Sequence, residues 1–237
     1  MSAVAGVPTL APARRLGPAQ VRFTGRAEGD MGHGGLYATE VAPEVEQRRR
    51  AVCEHPWTWL RQVHGREVVR VARPGAGAGA VADAAVTDQA GCALAVLTAD
   101  CAPVVLAGQS HRGGALAVAH AGWAGLLAGV VEATVAEMED LGATGIQALI
   151  GPCVHPECYE FGEGDLARME ERFGPSVRAR TAAGAPALDL PAAVRVALAR
   201  AGVTAVADAG ACTACSPAWF SWRARRDRGR QATVVWR

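Results

Sequence analysis

Apolar residues in the middle of the chain fall in short unbroken runs rather than in alternation. Cys92–Thr98 (CALAVLT), Val104–Ala107 and Ala115–Ala119 are each bounded by Gly, Pro or polar residues, the pattern of strands buried on both faces. After His120 the period changes. Leu126, Val130, Val131, Thr134, Val135 and Met138 recur three and four residues apart, which predicts a helix running to Gly142. Trp57–Gln62, Glu67–Val71, Gln147–Ile150, Val203–Ala207 and Thr233–Trp236 read as further strands. Glu44–Cys53, Asp165–Phe173 and Pro191–Ala201 read as helices, the last opened by Pro in its first turn and closed by Gly202. Residues 1–20, rich in Pro and Ala, predict a flexible segment, and Arg22–Gly35 and Pro74–Gly79 predict loops. No repeat or deep break divides the remainder. The expectation is one α/β (α+β) domain over residues 21–237, with mixed strands and helices packed outside them.

Composition narrows the partners. The 237 residues, half of them hydrophobic and a fifth charged, suffice for a sizeable core. Twenty-four basic residues, all Arg, nearly balance 23 acidic ones, for a formal net charge of +1. That argues against nucleic acid or an anionic membrane captured by bulk charge. No apolar run approaches the ~20 residues of a membrane span. Met1–Arg15 carries its Arg at the end rather than the beginning, unlike a secretory signal, so the expectation is a cytoplasmic protein. An odd number of Cys, seven, fits a reducing compartment where thiols are buried, metal-bound or catalytic.

Three residues share one kind of position. His64, Cys101 and His120 each follow a strand-like run, at the end where open sheets place ligand-binding groups. Two imidazoles and a thiolate suit Zn²⁺ with a fourth position left for water or substrate. Their separations match no local zinc-finger spacing, so from the residues alone two core histidines and a buried thiol stand as the alternative.

QVHG at 62–65, TADCAPV at 98–104, AHAGWAG at 119–125, IGPCVHPECYEFG at 150–162 and CTACSPAWFSWRARRD at 212–227 occur in the order found in the laccase-domain family. From about Arg22 onward the chain resembles this family, also called polyphenol oxidase, YfiH-like or peptidoglycan-editing-factor proteins. The resemblance implies a layered αββα-type sandwich and a zinc held by His64, Cys101 and His120, with copper as an adventitious substitute. It further implies phosphorolysis of adenosine, inosine and methylthioadenosine, and deamination of adenosine, so the implied partners are a purine nucleoside and phosphate. A three-ligand zinc lowers the pKa of bound water toward ~7, which suits hydrolytic deamination. Phosphorolysis needs cations for phosphate, which Arg binds bidentately. Arg26, in a segment similar to the family's TTRxGG, and Arg223, in one similar to FSYRRD, are the candidates, with Cys101 the catalytic-site thiolate. A true multicopper laccase would need many more imidazoles than six His supply.

The sequence departs from the family pattern at Ala124, where HAGWRG has Arg, and at Glu28, where the first of two paired glycines would stand. Two alternatives stand beside this reading: the editing-factor name points to a Cys101–His120 amide hydrolase acting on peptidoglycan precursors, and Ala124 to a catalytically weak nucleoside-binding paralogue. Asp100 is a candidate ligand-orienting group, proton carrier or cap, and Glu160 a candidate supporting carboxylate or a solvated loop carboxylate. Cys212-x-x-Cys215 is able to hold a metal or to cycle as a redox pair. Lacking a second pair at zinc-ribbon spacing, it reads as buried free thiols. Arg225, Arg226, Arg228 and Arg230 read as a solvated face.

Overall fold

The structure, a computed structural model, describes residues 13–32 and 41–237. Two six-stranded sheets hold it together. The first runs, in spatial order, Arg14–Leu16, Ala19–Phe23, Gln231–Trp236, Ala93–Thr98, Trp57–Arg61 and Ala80–Val81. The second runs Ala205–Asp208, Thr144–Ile150, Ala102–Gln109, Ala115–Ala121, Ala84–Thr87 and Val68–Arg70. Pairing is antiparallel except where Trp57–Arg61 joins its two neighbours and at the two outermost pairs of the second sheet.

Side-chain alternation explains why the apolar runs are unbroken. Along Ala93–Thr98, Leu94 and Val96 enter a core between the sheets with Val105, Leu116 and Val118 of the second sheet. Ala93, Ala95 and Leu97 face the opposite way, onto Met31, Val52 and Trp57. The far face of the second sheet, with Val104, Leu106, Ala117 and Ala119, packs on Val131, Val135, Met138, Leu166 and Leu198. The result is the layered helix–sheet–sheet–helix sandwich that the sequence led us to expect, with both faces of the central strands in core.

The predicted helices form at Pro43–Val52, Glu163–Phe173 and Leu190–Arg200. The last is capped by Asp189, whose carboxylate accepts from Ala192 N–H at 2.8 Å. The helix predicted after His120 is two helices, Trp123–Ala128 and Val130–Asp140, because Gly129 between them is left-handed at φ +90°. The expected flexible segment also needs correction. Its residues 1–12 lie outside the described residues, but Arg14–Leu16 and Ala19–Phe23 are strands, and Ala19 and Val21 are fully buried against the C-terminal strand. Five alternating residues beside Gly17 and Pro18 were too short a signal against the surrounding Pro and Ala. Among the described residues no helix is long and apolar enough to cross a membrane.

Candidate functional site

The site lies at one end of the sandwich, where the two sheets meet. His64 follows the Trp57–Arg61 strand of the first sheet, and His120 sits near the end of Ala115–Ala121 in the second. Cys101 lies in the short link that passes from Ala93–Thr98 in one sheet to Ala102–Gln109 in the other. The fold thus brings the three together: their donor atoms all lie within 4.8 Å of one another.

Asp83, absent from the sequence-level candidates, organises this trio. Its fully buried carboxylate accepts the backbone N–H groups of Val63 (3.1 Å), His64 (3.0 Å) and Gly65 (2.7 Å). Those bonds hold His64 in the left-handed region, at φ +58°, where a non-glycine residue is disfavoured. The same carboxylate meets His120 Nδ1 at 2.8 Å. An ionised Asp83 keeps Nδ1 protonated, so Nε2 is the nitrogen a metal would meet, displacing the proton it carries while His120 is charged. Burial opposes charge on both groups. The bonds from His120 and from the Gly65 and Val63 N–H nevertheless bring Asp83 below its usual range. Cys101 and Asp83 together raise His120 to about 9. Burial and the neighbouring His120 lower His64. Only its position 19 residues beyond His64 in the sequence connects Asp83 to the motif, and nothing in VADAAVT singles it out.

Asp100 turns out to be a strut, also left-handed at φ +100°. Buried beside Cys101, it accepts the Thr213 hydroxyl and the Arg223 backbone N–H, both at 2.7 Å. It therefore fastens the 212–227 segment over the trio. A cavity of about 770 Å³ opens here, lined by His64, Cys101 and His120 together with Trp222, Arg223, Arg228 and Arg230.

The two predicted arginines part company. Arg223 lines the cavity, its guanidinium 4.7 Å from the Tyr159 ring centroid. Arg26 does not line it. Its guanidinium is spent on Asp227 and on the Trp219 carbonyl (3.1 Å), and it stacks on Phe220. Glu28, the departure from the paired glycines, accepts the Gly25 N–H at 2.6 Å. The arginine run is not a uniform solvated face: Arg228 and Arg230 line the cavity, and Arg225 ties down its own loop. Glu160 contributes a carbonyl to Arg223 at 3.4 Å and its side chain does not line the cavity. Sequence reasoning also missed Tyr159, a buried phenol at the cavity wall whose ionisation burial and Cys101 push up.

The family model for multi-copper polyphenol oxidoreductase laccase matches residues 32–237. The chain belongs to this laccase-like family. A purine nucleoside phosphorylase of Streptomyces coelicolor is 45% identical over 184 residues, covering 75% of this chain and 74% of its own. One from Streptomyces griseus is 41% identical over 218 residues, covering 88% and 87%. Among solved structures, a hypothetical YfiH protein of Bacillus licheniformis superposes with a TM-score of 0.81 at 23% identity, over 95% of this chain and 96% of that one. A Neisseria meningitidis protein superposes with a TM-score of 0.77 at 29% identity, over 95% and 98%.

The laccase-like family's description implies a metal. Among the described residues two groups have donors close enough to hold one: the His64–Cys101–His120 trio, and Glu157 with Cys158, Cys212 and Cys215. Neither brings a third imidazole. Cys212 and Cys215 are both free thiols, Cys212 buried as expected and Cys215 exposed, its thiol meeting Cys158, distant in sequence, at 3.3 Å.

Proposed function

We propose that this laccase-family chain is a zinc-dependent purine nucleoside enzyme that phosphorolyses adenosine, inosine or methylthioadenosine and deaminates adenosine. The observation that carries the reading is the convergence of His64, Cys101 and His120 at a cavity also lined by Arg61, Arg223, Arg228, Arg230 and the exposed Trp222 indole. The names of the relatives at 41–45% identity supply the reaction class.

The trio fits zinc. Its donors are two imidazoles and a thiolate that line the cavity, and Asp83 orients one imidazole as carboxylates orient zinc-bound histidines. Gly122 completes the cradle: a Cβ there would stand 2.5 Å from His64 Nδ1 and 3.1 Å from Cys101 Sγ. When bound, the metal would supply Lewis-acid chemistry.

The remaining roles belong to the chain. Arg223, Arg228 and Arg230 present fixed positive charge to phosphate. Trp222, 44% exposed at the cavity wall, offers a face for the purine. In phosphorolysis a phosphate oxygen attacks the ribose C1′ and the N-glycosidic bond breaks, its electron pair leaving with the base. The Tyr159 phenol, kept protonated by burial, is a donor beside the trio. A multinuclear copper oxidase is not part of this reading, because two imidazoles are too few for its cluster.

Chromatography of products from adenosine with and without phosphate tests the proposal. Adenine formed only with phosphate, and inosine formed in either case, are the expected results. Neither product from protein that holds stoichiometric zinc would overturn it. In the same assay Arg223→Ala should raise the KM for phosphate roughly ten- to hundredfold, the loss of one charge-assisted contact worth ~1.5–3 kcal/mol.

A further inference from the structure

We infer that Cys158, Cys212, Cys215 and Glu157 form a second metal site, for a thiophilic divalent cation of the zinc class, distinct from the His64–Cys101–His120 trio. The two stretches that supply it are clamped together by backbone. Cys153 N–H donates to the Ala211 carbonyl at 3.2 Å, and Thr213 N–H donates to the Cys153 carbonyl at 2.9 Å, making a parallel bridge between Cys153 and Cys212. That register carries Cys158 over the Cys212-x-x-Cys215 turn. The four donor atoms then all lie within 4.8 Å of one another. Cys158 Sγ and Cys215 Sγ are 3.3 Å apart, and Cys215 Sγ is 3.4 Å from Glu157 Oε1.

The donor chemistry selects the cation. Three sulfurs and a carboxylate make a four-donor set dominated by soft thiolate, closer to a structural zinc site than to the all-oxygen sites of calcium or magnesium. Zn–S bonds of about 2.3 Å in a tetrahedron put sulfurs about 3.8 Å apart, so the Cys158–Cys215 gap needs to widen by only about half an ångström. The surroundings match as well. The His155 backbone N–H points at Cys212 Sγ at 3.4 Å, an outer contact that stabilises a thiolate. His155 Nδ1 stands 3.9 Å from Glu157 Oε1, behind the carboxylate. A Cys158–Cys215 disulfide is the rival use of these sulfurs, but it would employ two of them and leave Cys212 and Glu157 without a role. On binding, the thiols release their protons to solvent. The site would pin the 212–227 segment, which carries Arg223, to the segment that carries Tyr159.

Cobalt(II) alone is the probe. The full chain carrying Cys101→Ser, which leaves the first trio without a thiolate, is purified under reductant and titrated with Co²⁺. One equivalent should bind and develop thiolate-to-cobalt charge-transfer absorption. Cys215→Ser should remove about a third of that absorption, one thiolate of three. The double change Cys212→Ser with Cys215→Ser should abolish it. Cys215 is exposed and its side-chain bonds are to this cluster, so the single variant should retain its near-ultraviolet circular dichroism. No charge-transfer absorption, or absorption indifferent to Cys215→Ser in protein that keeps that signature, would overturn the inference. So would a Cys158–Cys215 disulfide peptide recovered from the reduced preparation. Since Cys101 is absent from this background, the result stands apart from the activity proposed for the trio.

Discussion

The geometry of the trio depends on a residue with no side chain. Gly122 has φ −77° and ψ 163°, a conformation open to any amino acid, so its backbone does not require glycine. What requires it is space, since an added Cβ would fall 2.5 Å from the His64 ring and 3.1 Å from the Cys101 sulfur. His64 has little room to yield, because three N–H bonds to Asp83 fix the strained backbone around it. Gly122→Ala should therefore leave the fold intact and spoil the site. Overpacking of this size costs ~1–3 kcal/mol, roughly ten- to hundredfold in metal affinity. Competition with a chromophoric chelator measures it. Affinity equal to that of the parent protein would mean that the ring swings aside freely and that Gly122 forms no cradle.

At the scale of elements, the 212–227 segment shows where sequence reading succeeds and where it stops. Its residues stand together in one motif, and Arg223 could be marked as facing a ligand because the motif resembles one. The neighbouring Arg225 looks equivalent in sequence and is not. Its guanidinium donates to the carbonyls of Thr213 (2.8 Å), Ala214 (2.9 Å) and Trp219 (2.8 Å), bonds made within a loop that no periodicity describes. The engagement of Arg26 is hidden for a related reason: its partner Asp227 lies about two hundred residues away, and only the fold brings the two together. The long strands were legible because burial on both faces leaves a continuous apolar run. Short strands such as Ala84–Thr87, and the break at Gly129, leave no such mark. Arg225→Met should orphan the carbonyls of Thr213 and Ala214, while Arg26 still serves that of Trp219, and cost ~1–3 kcal/mol in urea denaturation. It should also raise the KM for phosphate as Arg223 loses its seat, without changing zinc content. A variant as stable as the parent would show that water replaces the guanidinium at no cost.

Over the whole molecule, the cavity is held by the strand nearest the end of the sequence. Gln231–Trp236 lies between Ala19–Phe23 and Ala93–Thr98 in the first sheet, paired on both sides. Val235 enters the core between the sheets, while Ala232, Val234 and Trp236 enter the core outside the first sheet. The strand also anchors the loop before it. The buried Gln231 side chain accepts the Phe220 N–H at 2.8 Å and donates to the Phe220 carbonyl at 3.2 Å, fixing the base of the segment that presents Trp222 and Arg223. Thr24 and Ala232 exchange bonds across 208 residues, so this pairing closes only after most of the chain is in place. Ending the chain after Arg230 should therefore do more than trim an edge. It removes the ladder partner of two strands at once and uncovers both faces of the first sheet, a loss no local repacking restores. The truncated protein should lack a cooperative urea transition and bind a hydrophobic dye, whereas removal of the edge strand Arg14–Leu16 should only lower the midpoint. A cooperative transition of unchanged steepness in the truncated chain would mean that the sandwich closes without its middle strand, and that Trp222 and Arg223 owe their positions to Asp100 and Arg225 alone.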